Sequence, residues 1–130
     1  SGKFSARQKE ILEMEVDVGE QIIDFIKPGI TFADIRELTD RIIPEDAKKY
    51  MQVGLFFGHH LGLSTGDPNL SEATLAPGMI FTVEPWYYNH DEQLSVFTEE
   101  VILVTENGCE VLSKDLPKSP TALEQLMKND

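Results

Sequence analysis

Apolar residues in the first quarter of the chain repeat at helical spacing. Between residues 5 and 26 they form two neighbouring stripes, one of Leu12, Val16, Gly19, Ile23 and Ile26, the other of Ile11, Met14, Val18, Ile22 and Phe25. Ser5 is followed three residues later by Gln8, a capping-box pattern that places the helix start at Ser5. Pro28-Gly29 ends the helix. Two adjacent stripes predict a wide buried face, as in a helix that lies across a sheet.

A second, shorter helix is predicted to start at Thr31 and to end at Pro44, with Asp34 at its third position. Its inward-facing residues are Ile35, Leu38 and Ile42. Residues 45–52 read equally well as a solvated turn or a short helix. A buried strand over residues 53–57 and a loop over residues 65–77 follow, the loop marked by several glycines and prolines.

The second half of the chain alternates in the manner of strands. Residues 79–84 form a strand that residues 86–88 continue towards a turn at 89–91, and residues 93–105 return as a long strand. These segments predict a β-hairpin. Asn107-Gly108 is a tight turn before a strand over residues 109–112. Ser119-Pro120 places an N-cap and a first-turn proline before a last helix that ends near Met127.

The predicted fold class is therefore α+β, with two N-terminal helices packed on a curved antiparallel sheet and a short C-terminal helix. The 130 residues are enough for a single domain, residues 1–130, with a modest core. Acidic residues outnumber basic ones by 23 to 11, giving a net charge of −12, which argues against nucleic acid or an anionic membrane as partner. One cysteine and no visible signal peptide lead us to expect a soluble protein, cytoplasmic rather than secreted.

Three possible metal ligands, His59, Glu84 and Glu99, lie in or beside short apolar runs. Neighbouring strand residues point to opposite faces, so Glu99 and Glu100 should lie on different faces of the return strand. Apolar residues lie on both faces of this strand, and we therefore expect both faces to be buried. A carboxylate in such a place loses its hydration, and a divalent cation is the partner that would compensate for the loss. Taken singly, each residue reads more simply as a turn, core or strand-edge residue.

Three segments together resemble the creatinase, prolidase and aminopeptidase P superfamily of pita-bread metallopeptidases. They are Gly-His-His-Leu-Gly-Leu at residues 58–63, Leu-Ala-Pro-Gly-Met-Ile-Phe-Thr-Val-Glu-Pro at 75–85, and Glu-Glu-Val-Ile-Leu-Val-Thr-Glu-Asn-Gly-Cys-Glu-Val-Leu at 99–112. Lys27-Pro28-Gly29 followed by Thr31 is similar to that family's turn between two covering helices. The resemblance runs from about Phe4 to the C-terminus and implies a partial pita-bread fold.

The resemblance implies a pair of divalent metals, Mn, Zn or Co, held by two Asp, one His and two Glu, with a shared water that attacks the peptide carbonyl. Residue by residue, it makes His59 a ligand, Glu84 a ligand that also shuttles a proton, and Glu99 the bridging ligand. The two Asp precede the first covering helix in the family, whereas that helix begins at Ser5 here. Asp17 and Asp24 lie inside the helix pattern and are poor substitutes.

We therefore expect this chain to be the C-terminal portion of a catalytic domain, inactive alone and holding at most one weakly bound metal. Its expected partners are a peptide substrate in the intact parent, and either the missing N-terminal half or a second copy of the chain in a homodimer. The expected reaction is that of a metal-dependent aminopeptidase or Xaa-Pro peptidase.

Several positions depart from the family pattern and argue against ordinary Xaa-Pro specificity. Leu55 and Gly66 stand where histidines flank the ligand His in many members. Phe97 replaces a common Arg, and Trp86 replaces the Gly that usually follows Glu-Pro. His60 or His90 could supply a catalytic donor instead, although a packing role for His60 and a turn role for His90 are simpler.

The departures also leave open a second function, that of a non-catalytic peptide-binding or protein-binding module derived from the pita-bread fold. The retained His59, Glu84 and Glu99 argue against that alternative, because an idle site has no reason to keep buried charges. Metal content of the full-length parent separates the two hypotheses.

Overall fold

The computed structural model describes residues 2–51, 58–64 and 73–128. Within these residues the chain forms three α-helices, a short 3-10 helix at Lys48–Tyr50, and five strands. The helices are α1 (Ala6–Phe25), α2 (Phe32–Ile42) and α3 (Pro120–Leu126). The strands are β1 (Ile80–Val83), β2 (Trp86–Asn89), β3 (Leu94–Phe97), β4 (Glu100–Val104) and β5 (Cys109–Val111). All strand pairs are antiparallel, so the predicted α+β class is confirmed.

Both N-terminal helices begin where their capping patterns predict. The Ser5 hydroxyl accepts a hydrogen bond from the Gln8 amide at 3.2 Å, and the Gln8 side chain accepts one from the Ser5 amide at 2.8 Å. Thr31 and Asp34 form the same reciprocal pair at the start of α2. Two of the amide groups that a helix leaves unpaired at its N-terminus are satisfied in this way.

Helix α1 crosses the hairpin and carries much of the core. The buried residues on its inner side are Ile11, Leu12, Glu15, Val18, Gly19 and Ile22. Three of them, Ile11, Val18 and Ile22, belong to one apolar cluster with residues of α2 and with inward side chains of the strands, among them Phe81, Val83 and Ile102. Glu15 is the exception in this apolar set: it is completely buried, and neither carboxyl oxygen has a hydrogen-bond partner among the described residues.

The predicted hairpin forms, but its two arms each divide into two strands. Strand β1 pairs with β4 and β2 pairs with β3, with a break at residues 84–85 and 98–99. The register is the same on both sides of the break, because Val83 faces Glu100 and Trp86 faces Phe97. The two intervening pairs are therefore Glu84 with Glu99 and Pro85 with Thr98, and the Thr98 amide bonds to the Pro85 carbonyl.

A short extended segment around His60 adds to the free edge of β1. His60 pairs with Phe81 in an antiparallel bridge, the Thr82 amide donates to the His59 carbonyl at 2.9 Å, and the Leu61 amide donates to the Ile80 carbonyl at 3.2 Å. The spatial order is thus the His60 segment, β1, β4 and β5. This order brings distant parts of the sequence side by side.

The helices cover only one face of this sheet within the described residues. The core face holds Phe81, Ile102 and Val104, all buried. The opposite, outer face holds Phe97, which is 56% exposed, and Glu99, which is also exposed. The expectation that both faces of the return strand are buried is therefore wrong, because no described element packs over Phe97 and Glu99.

The predicted strand over residues 53–57 lies wholly outside the described residues. So does most of the predicted loop over residues 65–77, of which residues 73–77 are described. Leu55 and Gly66 lie there too. Among the described helices, none combines the length and the apolar character needed to cross a bilayer.

Candidate metal centre

The strand register places three candidate ligands on the outer face. Side chains directly opposite each other in an antiparallel pair share a face, as do side chains two residues apart on one strand. His59 lies opposite Thr82, Thr82 and Glu84 are two residues apart, and Glu84 lies opposite Glu99. His59, Glu84 and Glu99 therefore project from the same face, one from each of three adjacent strand segments.

These three residues form a donor cluster. One potential ligand atom from each lies within 4.8 Å of the others. His59 Nε2 is 3.5 Å from a carboxylate oxygen of Glu84. Glu84 is nearly buried, whereas Glu99 is exposed. The cluster thus lies at the surface of the sheet, open on the side of Glu99.

The other ring nitrogen of His59 fixes the orientation of the imidazole. Nδ1 lies 2.9 Å from the main-chain carbonyl oxygen of His60. A carbonyl oxygen can only accept a hydrogen bond, so Nδ1 carries the hydrogen. In the neutral ring, Nε2 is then the atom with the free lone pair, and it points towards Glu84. This arrangement, with one nitrogen bonded to a carbonyl and the other free, is typical of a histidine ready to bind a metal.

Thr82 supports the donor cluster, although the sequence reasoning did not single it out. Its side chain is completely buried. The hydroxyl oxygen accepts a hydrogen bond from the His59 amide at 3.0 Å, and the hydroxyl lies 3.0 Å from Glu84 Oε1, to which it can donate. One side chain therefore orients two members of the cluster. One local pattern could have pointed to it: in Thr-Val-Glu, Thr82 and Glu84 are two residues apart, so their side chains lie on the same face of the strand.

The electrostatics of the donor cluster favour a bound cation. Two carboxylates directly opposite each other repel, and the Nε2 lone pair adds a third electron-rich atom. Among the described residues, no lysine or arginine forms an ion pair with Glu84 or Glu99. One imidazole nitrogen and two carboxylates are ligands that suit zinc and related divalent metals. The residues present therefore fit a divalent metal.

Comparison with known proteins identifies the family. Residues 1–106 match metallopeptidase family M24. The chain belongs to that family. Over 98% of its length it is 30% identical to Xaa-Pro aminopeptidase 2 of Streptomyces coelicolor, and over 87% it is 32% identical to the Xaa-Pro dipeptidase of Pyrococcus horikoshii. The M24 chain spans about a third of the length of these relatives, 34% and 33% respectively.

A solved structure shows the same architecture. The structure of a candidate aminopeptidase P from Bacillus anthracis superposes with a TM-score of 0.90 at 32% identity, covering 99% of this M24 chain and 33% of the other. The resemblance to the aminopeptidase P and prolidase superfamily is thus confirmed, and so is the partial pita-bread fold. Family M24 depends on divalent metals, which agrees with the chemistry of the donor cluster.

Glu100 of the M24 chain serves a different purpose from Glu99. It lies on the opposite side of the strand, where one carboxylate oxygen accepts a hydrogen bond from the Ser113 hydroxyl and the other is 3.2 Å from Lys118 Nζ. Lys118 also lies 3.3 Å from Glu20 on α1. Glu100 therefore ties the strand to the segment that follows β5.

His60 lies away from the donor cluster, on the core face. Its ring packs edge-on against Phe32 with centroids 5.1 Å apart and lies near Phe81 at 6.1 Å. Burial lowers the pKa of His60, with the neighbouring His59 adding to the effect and the Ile80 main chain opposing it. A neutral ring among aromatic side chains fits the simpler packing role weighed for this histidine.

The structure also leaves His90, Asp17 and Asp24 outside the donor cluster. His90 lies in the exposed turn of the hairpin, where Nδ1 is 3.4 Å from the Tyr88 hydroxyl. It is six residues beyond Glu84, about 20 Å along an extended strand. Asp17 and Asp24 are exposed on α1, and Asp17 bonds to Gln21.

Proposed function

We propose that this chain supplies three of the ligands in the metal centre of a metal-dependent aminopeptidase that hydrolyses peptides of the Xaa-Pro type. One observation carries the proposal: three electron-rich side chains, His59, Glu84 and Glu99, converge within 4.8 Å with no described basic side chain between them. Such a group is costly to assemble unless a cation joins it. The names of the family M24 relatives support the choice of peptide substrate.

In this proposal His59, Glu84 and Glu99 would hold a divalent cation, which would supply the polarisation of the peptide carbonyl and the attacking water. Glu84 accepts a proton from that water and passes it to the departing amine, as general base and then general acid. Thr82 keeps the Glu84 carboxylate in place for this transfer, through the hydroxyl 3.0 Å away. The His60 carbonyl holds the His59 ring in the orientation that leaves Nε2 free.

The donor cluster accounts for three of the five ligands that the resemblance implies. Two further carboxylates would come from a segment of the longer protein that the relatives' lengths suggest. We therefore propose that the isolated chain binds one cation weakly and has little peptidase activity. The exposed outer-face residues Leu61, Ile80 and Phe97 offer a surface for that segment or for a second copy of the chain. The homodimer stays a prediction.

Titration of the chain with Zn²⁺ tests the proposal. We expect one zinc per chain, and we expect His59→Ala to remove most of the binding because the free Nε2 ligand is lost. His60→Phe is the matched control, since it keeps an aromatic ring in the core while removing both ring nitrogens, of which Nε2 has no hydrogen-bond partner among the described residues. Isothermal titration calorimetry with elemental analysis gives both stoichiometry and affinity.

Equal losses from His59→Ala and His60→Phe would show that the ligand histidine is misassigned. If the chain and its intact parent both fail to bind metal but still bind peptides, the non-catalytic binding module is the better description. Stoichiometric metal in the parent, lost together with activity on treatment with a chelator, would exclude that alternative.

Thr82→Val is expected to weaken zinc binding about tenfold, the lower end of the effect found for residues that orient metal ligands. Valine matches threonine in shape but cannot accept from the His59 amide or donate to Glu84. Thr82→Ser keeps the hydroxyl and should bind zinc nearly as well as the unmodified chain. Competition with a fluorescent zinc chelator measures all three affinities. Unchanged affinity in Thr82→Val would mean that the donor cluster does not depend on this hydroxyl.

A further inference from the structure

The buried carboxyl group of Glu15 has no role in the proposed metal chemistry. Neither of its oxygens has a hydrogen-bond partner among the described residues. Burial raises the pKa of Glu15 to about 9, so the group is neutral at pH 7. Even a neutral polar group is costly in such a place, because its hydrogen bonds to water are lost and not replaced. An unpartnered buried carboxyl group therefore points to a ligand that it can bind.

Glu15 lines a cleft of about 260 Å³ between α1 and the segment that follows β5. On the side of α1 the lining residues recur at helical spacing: Leu12, Glu15, Val16, Gly19 and Ile23. On the side of the sheet, Val83 and Glu100 line the cleft, and these two residues face each other on the side that carries Phe81. The cleft therefore lies on the core side of the sheet, opposite to the donor cluster.

The size and the walls of the cleft suit a small molecule with an apolar group. A cavity of about 150 Å³ with apolar walls can hold benzene, so this cleft has room for a group of that size and a short chain with a polar head. Leu116 lies at the rim and is 67% exposed. An apolar ligand in the cleft would cover part of this exposed leucine, which favours binding.

The charges around the cleft favour a cation. Lys118 is the single basic residue among the described residues of the lining, and its ammonium lies 3.3 Å from Glu20 and 3.2 Å from Glu100. One ammonium shared by two carboxylates leaves a net negative charge, which repels an anionic ligand. A protonated amine is complementary to this charge, and it can donate hydrogen bonds to the carboxyl group of Glu15.

We propose that the cleft binds a small primary amine that carries an apolar group of about the size of benzene. The ammonium donates hydrogen bonds to Glu15, and the apolar group lies between α1 and Leu116. On binding, Glu15 releases its proton to the solvent, so a buried carboxylate and a buried ammonium form a pair. This site is separate from the metal centre, and the inference does not rest on the proposed function.

Isothermal titration calorimetry of the unmodified chain at pH 9 tests the site. The probes are 2-phenylethylamine, 2-phenylethanol and 3-phenylpropionate, which share a phenyl ring and carry a cationic, a neutral and an anionic head group. We expect the amine to bind at least about tenfold more tightly than the alcohol, because hydrogen bonds between charged partners are the stronger ones. The anionic probe should bind most weakly.

Two pairs of variants locate the amine. Glu15→Gln should reduce the preference for the amine over the alcohol to about twofold or less, whereas Glu20→Gln, at the exposed rim on the same helix, should change it by less than about threefold. Leu116→Ala should weaken the amine and the alcohol alike, by at least about threefold. Leu126→Ala is its matched control, because Leu126 is 57% exposed and does not line the cleft.

The pH dependence supplies a second readout. The affinity for the amine should be at least about tenfold lower at pH 7 than at pH 9, because at pH 7 a proton must leave Glu15 before the pair forms. The ammonium of a lysine side chain has a pKa of about 10.4, so a primary amine stays largely charged over this range. The other titratable groups on neighbouring elements are Glu20, Tyr87, Glu100 and Lys118. Glu15→Gln keeps all of them and should show no such pH dependence.

Equal binding of the amine and the alcohol would overturn the inference, as would a preference that Glu15→Gln leaves intact. A loss in Glu20→Gln as large as that in Glu15→Gln would place the amine at the rim and would contradict the role of the buried carboxyl group. His59→Ala should leave the affinity for the amine unchanged. A large loss in that variant would mean that the amine binds at the donor cluster and not in the cleft.

Discussion

Replacing Glu99 by Gln is expected to lower the affinity of the chain for Zn²⁺ by at least about 100-fold. Residues that merely orient a metal ligand contribute up to about 100-fold in affinity, so loss of a charged ligand should cost no less. Glu99 is one of two carboxylates in the donor cluster, and the amide of Gln is a weaker ligand with no negative charge. The remaining His59 and Glu84 would not hold zinc tightly.

Glu100→Gln is the matched control, one residue further along the same strand. Its carboxylate faces the other way, towards Ser113 and Lys118, so zinc affinity should change by less than about threefold. Some stability will be lost with the Lys118 ion pair, and circular dichroism should accompany the zinc titration. A large loss of affinity in Glu100→Gln with little change in Glu99→Gln would shift the strand register by one residue and reverse the assignment of the two faces.

Local features of the fold followed from the sequence because they depend on neighbouring residues. The reciprocal caps at Ser5 and Thr31 and the proline start of α3 involve positions at most three residues apart. The opposite orientations of Glu99 and Glu100 are likewise a local property of an extended chain. Their agreement with the structure reflects covalent geometry more than tertiary packing.

Features that depend on distant partners did not follow from the sequence. No local pattern places His59 opposite Thr82, because that pairing joins residues 23 apart. The role of the Thr82 hydroxyl depends on this pairing and was therefore missed. The exposure of Phe97 was also missed, because apolar residues on both sides of a strand predict burial only if both faces have a partner layer.

Glu15 was missed for a different reason. It lies three or four residues from Ile11, Leu12, Val18 and Gly19, in the middle of the buried surface of α1. Helical spacing alone would have placed Glu15 in the core. An acidic residue is normally assigned to the solvent side of such a helix, since a buried charge is expensive. The structure keeps it completely buried, and burial raises its pKa from 4.5 to about 9.

Glu15→Gln is consequently expected to stabilise the chain at neutral pH and to have little effect in acid. Between pH 4.5 and 9 the folded chain keeps a proton on Glu15 that the unfolded chain has released. The free energy of unfolding therefore falls as pH rises, by up to about 1.4 kcal/mol per pH unit. Gln has a similar size and no titration, so the variant should match the original chain near pH 4.5 and exceed its stability by about 3 kcal/mol at pH 7.

Urea denaturation at pH 4.5, 7 and 9 measures this difference, and Glu13→Gln is its control, because Glu13 is exposed on the same helix. The control should show no comparable gain at any pH. Subtracting the two variants removes the contribution of the other acidic residues, which is large in a chain of net charge −12. The gap between Glu15→Gln and the original chain should widen steadily from pH 4.5 to pH 9. A constant gap would mean that the Glu15 carboxyl is charged in the folded chain and has found a partner or water in solution.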